Sequence, residues 1–183
     1  MEIPIGGYKL REWRSGDEAA LVKHADNRNI WINLRDQFPH PYTMADAEDW
    51  VRLNRNRDLV TNFAIATGEE AIGSVGLLLP AHVHRHSAEV GYWLAEPYWG
   101  RGITTAALKA MADYAFNTLG LARLYAAHFA WNPASGRVMQ KAGFTYESRL
   151  RSAAVKDGKT TDELLYALVR PETAQKDERA RSP

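Results

Sequence analysis

The chain has 183 residues, of which 45% are hydrophobic, and its formal net charge is +1 at pH 7. That length supports one well-buried core and is short for two. The near-zero charge argues against a dedicated nucleic-acid-binding or membrane-surface protein, so we expect neither partner. The absence of Cys excludes disulfides, thiolate nucleophiles and Cys-ligated zinc.

The N-terminal residues 1–13 hold no apolar stretch typical of a secretory signal, and no window approaches a membrane span. We therefore expect a soluble, cytoplasmic protein. Residues 1–170 contain no repeat or linker and are interpreted as one domain. Residues 171–183 are charged and lack apolar anchors, which predicts a flexible C-terminal tail.

The first predicted elements are a short strand at residues 8–13 and two helices. Ser15 and Glu18 form a capping-box pattern, with Ser15 as the N-cap of the first helix. Thr43 and Asp46 predict the start of the second helix in the same way.

Strands dominate the next part of the chain. Residues 27–42 have no clean hydrophobic period and are predicted to be mostly loop. A hairpin with strands at 63–67 and 71–79 follows. Alternating residues predict further strands at 88–94 and 124–129.

Two more helices are predicted by periodicity and by end signals. Apolar residues after Gly102 recur at spacings of three and four, and Gly120 lies where a helix C-cap glycine belongs. Asn132 followed by Pro133 predicts the start of a short helix that ends at Lys141.

Two last strands, at about 146–151 and 161–169, flank a turn at 156–159. The order is strand, two helices, three strands, helix, strand, helix, two strands. It predicts an α/β protein with one mixed α+β sheet rather than a repeating βαβ wind.

A strand, a glycine turn and a helix start follow one another at residues 88–119. Unpaired N–H groups of the first helical turn and the helix dipole favour a phosphate at such a place. The third glycine of a dinucleotide motif is replaced by Thr105, and the Gly-Lys-Ser/Thr of an ATP-type loop is absent. We predict a phosphorylated ligand of another class, although a purely structural helix cap would have the same pattern.

The wider string G-Y-W-L, then Y-W-G-R-G-I-T and an amphipathic helix resembles the acetyl-coenzyme A loop of the GCN5-related N-acetyltransferases (GNAT). It is most similar to the branch that acetylates ribosomal-protein N-termini and related amines. The family pattern Gln/Arg-x-x-Gly-x-Gly/Ala falls on Trp99-Gly100-Arg101-Gly102-Ile103-Thr104. Its first and last positions depart from the pattern, but Thr104 is small and keeps its N–H.

The resemblance covers roughly residues 8 to 170 and implies a GNAT fold. That fold has a mostly antiparallel central sheet of six to seven strands, flanked by about four helices. The cofactor implied is acetyl-CoA (coenzyme A). Its binding residues would be Gly100, Arg101, Gly102, Ile103, Thr104 and Thr105, together with the backbone amides of Tyr92, Trp93 and Leu94.

Glu89 is the candidate general base. Alternation puts it on the face opposite Ala88, Val90 and Tyr92, beside the cofactor loop. An amine must be neutral to attack a thioester, and a carboxylate acting through water would take its proton. The alternative is a structural glutamate paired with a neighbouring Arg or Lys on a solvated face.

The string from Asn132 to Phe144 resembles the family pattern N-x-x-S-x-x-V-x-x-K-x-G-F. The resemblance implies that Asn132 contacts the pantetheine arm, that Ser135 lies near the sulfur as proton donor, and that Lys141 approaches the phosphates. Helix capping alone would also explain Asn132 and Ser135.

Two departures from the family weaken parts of the resemblance. A tyrosine general acid in many other members is replaced here by Met139, so Ser135 or water must protonate the thiolate. The glutamate base proposed for members that act on ribosomal proteins has no counterpart within residues 151–155.

His82, His84 and His86 alternate, which would place three imidazoles on one face of an extended segment. They lie in a predicted turn without a nearby carboxylate, so we expect solvated histidines and no metal.

The acceptor amine is expected beside the loop 27–42. Trp31, Phe38, His40 and Tyr42 are its candidate contacts; packing is the alternative role of these rings. The function predicted is acetyl transfer by direct attack of a primary amine, either a protein N-terminus or a small molecule, in a monomer or homodimer. The alternative is a non-catalytic acyl-CoA-binding regulatory module.

Overall fold

The computed structural model describes residues 1–171. Those residues form eight strands: β1 Glu2–Ile5, β2 Tyr8–Arg11, β3 Asn62–Ala66, β4 Ala71–Leu78, β5 Ser87–Leu94, β6 Arg123–Phe129, β7 Thr145–Lys156 and β8 Lys159–Val169. They also form five α-helices: α1 Glu18–Ala25, α2 Arg28–Trp31, α3 Met44–Asn54, α4 Ile103–Asn117 and α5 Pro133–Lys141. The predicted tail lies outside the described residues from 172 onward.

The strands form one sheet in the order β1-β2-β3-β4-β5-β6-β8-β7. Every neighbouring pair is antiparallel except β5 and β6, which run parallel. The predicted mixed, mostly antiparallel α+β sheet is confirmed, with eight strands instead of six to seven and five helices instead of about four.

The additional elements are β1 and α2. Strand β1 contains Pro4 and forms a sheet edge, where the missing N–H of proline is tolerated. Helix α2 has only four residues, too few for a hydrophobic period, and the Asn27 side chain caps it by accepting the N–H of Asn29 at 2.8 Å.

The predicted N-cap at Ser15 is wrong. Helix α1 begins at Glu18, after Asp17. The buried Arg11 guanidinium donates to both Asp17 carboxylate oxygens at 2.7 Å, which directs this carboxylate to the sheet. The Glu18 carboxylate accepts the N–H of Gly16 at 2.7 Å.

Helices cover both faces of the sheet. Helices α4 and α5 pack on one face, which we call the helix-α4 face, with Leu108, Met111 and Ala115 buried. Helices α1 and α3 pack on the other, which we call the acceptor face. The capping box of Thr43 and Asp46 that starts α3 is confirmed.

Strands β5 and β6 separate after a short paired stretch. Their parallel register covers only Ser87↔Arg123, Ala88↔Leu124 and Glu89↔Tyr125, although both strands continue beyond it. Past Glu89, β6 keeps pairing with β8 and β5 keeps pairing with β4. The sheet therefore has a V-shaped gap between Glu89–Leu94 and Tyr125–Phe129.

Within residues 1–171, none of the helices combines the length and apolar character that a membrane crossing requires.

Candidate functional site

A cleft of about 920 Å³ passes through the gap between β5 and β6. On the helix-α4 face it reaches Gly100, Thr104 and Ser135, and on the acceptor face it reaches Phe38 and Glu89. A single cavity therefore connects the predicted phosphate turn with the predicted base.

The start of α4 lies at one end of this cleft. Its N-cap, Gly102, has φ 77°, a left-handed conformation that favours glycine, and a Cβ placed there would meet nothing within 4 Å. The first turn contains no acidic side chain, and Ala106 is the residue whose N–H first bonds back to Gly102. The N–H groups of Ile103, Thr104 and Thr105 thus have the geometry for an anionic phosphate.

Side chains of the same loop have different roles. Trp99, at the first motif position, donates its indole N–H to the Leu94 carbonyl at 2.7 Å and so ties the loop to β5. Arg101 is exposed, donates to the Pro97 carbonyl at 2.9 Å and lies over the Tyr98 ring. Ile103 is 3% exposed and packs in the core.

The three backbone amides predicted on β5 do not point the same way. The Ala95 N–H donates to the Ile72 carbonyl on β4. In an antiparallel ladder every second residue of a strand bonds to the same neighbouring strand. Trp93 N–H therefore points to β4, whereas the N–H groups of Tyr92 and Leu94 point into the gap. Two of the three amides have the direction that a ligand in the gap requires.

The start of α5 forms the opposite wall. The Asn132 side chain accepts the N–H of Ser135 at 3.3 Å, as a helix cap does, and both residues line the cleft. Lys141 is exposed in the last turn of α5, at the far end from Asn132.

The Tyr92 hydroxyl reaches across the gap to α5. It lies 2.8 Å from the Ser135 hydroxyl and 3.3 Å from the Ser135 carbonyl. Burial raises the pKa of Tyr92 to about 12, although the hydrogen bond with Ser135 opposes this shift. The sequence predicted only the amide of Tyr92, because the reach of its side chain depends on the gap.

His128 also lines the cleft and was missed by sequence reasoning. It is 7% exposed, and its Nδ1–H donates to the Phe129 carbonyl at 2.8 Å. Its Nε2 has no hydrogen-bond partner within residues 1–171. A Cβ at Gly136 would lie 2.7 Å from this nitrogen, so the glycine lets α5 approach β6.

Glu89 lies on the acceptor face of β5, where its side chain is 20% exposed. It forms an ion pair with Arg35, a residue of the loop between α2 and α3 whose side chain is 61% exposed. Both residues line the cleft. The two sequence readings of Glu89 therefore coexist, since it has an arginine partner and also faces the cavity.

The predicted acceptor residues separate into two groups. Phe38 and Tyr42 line the cleft, and the Phe38 ring contacts Trp93. Trp31 and His40 do not line the cleft. Their rings stack on each other, with centroids 5.4 Å apart. Lys156 Nζ covers Trp31 at 3.9 Å.

Glu163 is another carboxylate that lines the cleft, and it lies on the acceptor face. It lies on β8, paired with Phe129 on one side and with Leu150 on the other. The family pattern would place such a carboxylate only within residues 151–155, where the pairing of β7 with β8 is interrupted by a bulge. Only the cross-strand register brings Glu163 to this place.

The alternating histidines do not share a face. His82–His84 form a single 3₁₀ turn, and His82, His84 and His86 are all exposed. In the described part of the chain, no group of three or more His, Cys, Asp or Glu has a metal-binding arrangement.

Known proteins share both the sequence pattern and the fold. A family model described as an acetyltransferase (GNAT) domain matches residues 8–145. The uncharacterized N-acetyltransferase YoaA of Bacillus subtilis is 35% identical over 103 residues, which span 56% of this chain and 58% of that protein. Spermidine N(1)-acetyltransferase of Escherichia coli K12 is 30% identical over 143 residues, 78% of this chain and 75% of that one.

A solved structure of Mycobacterium smegmatis RimJ in complex with CoA-disulfide superimposes with a TM-score of 0.80 at 26% identity. The match covers 97% of this chain and 90% of RimJ. The family match spans most of the described chain, and it includes the glycine turn at the start of α4. The chain therefore belongs to the GNAT family of acetyl-CoA-dependent N-acetyltransferases, in the RimJ-like branch.

Proposed function

We propose that this protein acetylates a primary amine bound on the acceptor face, by direct attack on acetyl-CoA bound on the helix-α4 face. The observation that carries the proposal is the cleft through the β5–β6 gap, which joins Gly100 and Thr104 to Glu89. Acetyl-CoA supplies an activated acetyl thioester; all other chemistry belongs to side chains and amides of this chain.

Residues 100–105 bind the phosphates in this proposal. The open N–H groups of the first turn of α4 and its dipole favour the negative charge. Arg101 and Lys141 add positive charge at the surface. Asn132 binds the pantetheine arm while its side chain also caps α5.

The Tyr92 and Leu94 amides orient the thioester in the gap. An N–H directed at a thioester oxygen stabilises the charge that develops there during attack. The Trp93 amide is occupied by β4, which leaves this residue a role through its ring on the acceptor face.

Glu89 accepts the proton of the attacking amine through water, and Ser135 donates a proton to the leaving sulfur. Glu89 and Ser135 line the same cleft from opposite faces, as a base and an acid on two sides of one carbonyl require. The sequence has no Cys, so direct attack without an acyl-cysteine is the mechanism proposed.

The acceptor is a protein N-terminus or a small-molecule amine, in the cytoplasm. The resemblance to the branch that acetylates ribosomal-protein N-termini supports the first, and the similarity to spermidine N(1)-acetyltransferase supports the second. Aromatic and polar side chains of the cleft, such as Phe38, Trp50 and Asn33, suit both. The proposal covers a monomer as well as a homodimer, since one chain contains all of these residues.

The test is incubation with acetyl-CoA and a panel of amines, with thiol release and product mass as readouts. The panel contains peptides with free N-termini, spermidine and short diamines. We expect thiol release that depends on one acceptor class. Binding of acetyl-CoA with no release for any amine would instead support the non-catalytic regulatory module.

A further inference from the structure

Ser135 is poorly equipped to act alone as a proton donor. Once it has protonated the sulfur it needs another proton, because a serine alkoxide is unstable near neutral pH. Met139, at the position where other family members place a tyrosine, is fully buried and carries no proton to donate. The side chain that does contact the Ser135 hydroxyl is that of Tyr92, at 2.8 Å.

Three observations concern this pair. The Tyr92 hydroxyl reaches from β5 to the first turn of α5, where it contacts the Ser135 hydroxyl. Its second contact, to the Ser135 carbonyl at 3.3 Å, fixes the phenol relative to the helix. Both residues line the cleft, so the pair borders the space that the sulfur would occupy.

We propose that Tyr92 is a positioning residue for acetyl transfer, which orients the Ser135 hydroxyl toward the leaving sulfur and replaces the proton that Ser135 gives up. This role rests on the proposed function. One C–N bond forms and one C–S bond breaks, with the bonding electron pair left on sulfur. Ser135 protonates the sulfur and Tyr92 protonates Ser135, while Glu89 takes the amine proton and releases it to water, from which Tyr92 is reprotonated.

Tyr92 is half-buried at the edge of the cleft, and its acidity is compatible with such a role. Burial raises its pKa to about 12, so the phenol is a weaker acid than a free tyrosine, but it is still more acidic than a serine hydroxyl and can therefore reprotonate a serine alkoxide. Proton transfer by a positioned side chain contributes about 10²–10⁴-fold to a rate, and a residue that acts through another is expected at the lower end.

The experiment compares Tyr92→Phe and Ser135→Ala with the wild type. We expect Tyr92→Phe to lower kcat by about tenfold to a hundredfold while both KM values change by less than about threefold. The double variant should be no slower than Ser135→Ala alone, because the two residues act as one unit.

A binding measurement gives a readout besides activity. Calorimetry with CoA and with desulfo-CoA, which lacks the sulfur, is performed on each variant. We expect Tyr92→Phe to lower the affinity for CoA by about threefold, the size of one modest hydrogen bond, and to leave the affinity for desulfo-CoA unchanged. A matched control is Tyr114→Phe, which removes another tyrosine hydroxyl bonded to a backbone carbonyl, that of Val60, outside the cleft.

An equal loss of affinity for CoA and for desulfo-CoA would overturn the proposal, because a merely structural Tyr92 would support α5 whether or not the ligand carries a sulfur. Unchanged kcat in Tyr92→Phe would overturn it as well. If the wild type releases no thiol with any amine, the proposed function fails, while the comparison of CoA with desulfo-CoA still decides whether Tyr92 acts on the sulfur.

Discussion

Glu89 faces the cleft, where it could act as a base, and it also forms an ion pair with Arg35, which could give it a purely structural role. An exposed ion pair is worth at most about 1 kcal/mol, since water and salt screen it, and the Arg35 side chain is 61% exposed. The ion pair therefore leaves Glu89 available to an incoming amine or to a water molecule.

Replacement of Glu89 by Gln removes the proposed base while keeping its shape. We expect kcat to fall by about tenfold or more, with the largest loss at low pH, where little of the amine is neutral. The measurement is kcat/KM as a function of pH. Glu147→Gln is the matched control, because Glu147 is also a strand glutamate paired with an arginine, Arg123, and lies outside the cleft.

An unchanged pH profile in Glu89→Gln would assign Glu89 to structure alone.

Replacement of Arg35 by Gln removes a positive charge beside the acceptor. We expect the KM for a cationic amine to fall by up to about fivefold, the limit set by an exposed ion pair, and the effect to shrink at high salt. Initial rates at two ionic strengths measure it. Arg28→Gln, which breaks the ion pair with Asp157 outside the cleft, serves as control. A higher KM would mean that Arg35 itself holds the acceptor.

At the residue scale, the sequence placed Glu89 on its face and Ser135 beside Asn132. It could not place the Tyr92 hydroxyl or Glu163, because neither position follows from local spacing. Tyr92 reaches Ser135 only because β5 and β6 separate after Glu89. Glu163 enters the cleft only through its pairing with Phe129.

The element that carries cofactor binding is the start of α4. Gly102→Asp puts a carboxylate where the phosphates would lie, in open space and at a left-handed φ of 77°. We expect the affinity for CoA to fall by about tenfold or more, because like charges oppose each other at a helix N-terminus. Calorimetric titration with CoA measures the change.

Gly102→Asn is the matched control, since asparagine tolerates the left-handed region and is neutral. Equal losses in Gly102→Asp and Gly102→Asn would assign the effect to backbone strain and not to charge.

Elements with strong end signals were predictable. Thr43 with Asp46, and Asn132 with Pro133, each mark a helix start that the structure has. The prediction of Ser15 as an N-cap was wrong because tertiary contacts of nearby side chains also decide where a helix begins. Here the buried Arg11 binds the Asp17 carboxylate. Strand β1 was not predicted because Pro4 lowers its strand propensity, although an edge position tolerates proline.

At the scale of the whole molecule, two tyrosines with raised pKa values, the buried Tyr42 and the half-buried Tyr92, link stability to alkaline pH. Burial raises the pKa values of Tyr42 and Tyr92 to about 12, from 10.0. An unfolded chain releases these protons near pH 10, so their contribution to stability is complete below pH 10 and is lost as pH rises toward 12.

We expect the free energy of unfolding, from urea titrations, to fall over that window, and to fall less steeply in Tyr92→Phe. Tyr146→Phe, which removes the hydroxyl of an exposed tyrosine, is the control. An identical slope in Tyr92→Phe and the wild type would contradict the raised pKa of Tyr92.

Direct acetyl transfer depends on the continuity of the cleft through the β5–β6 gap. The helix-α4 face and the acceptor face meet at one gap, so both substrates must be bound together before the acetyl group moves. Initial-rate kinetics in which acetyl-CoA and the amine are both varied test this most directly. Direct transfer in a ternary complex predicts intersecting double-reciprocal lines. Parallel lines, the pattern of a covalent acyl-enzyme, would contradict direct transfer.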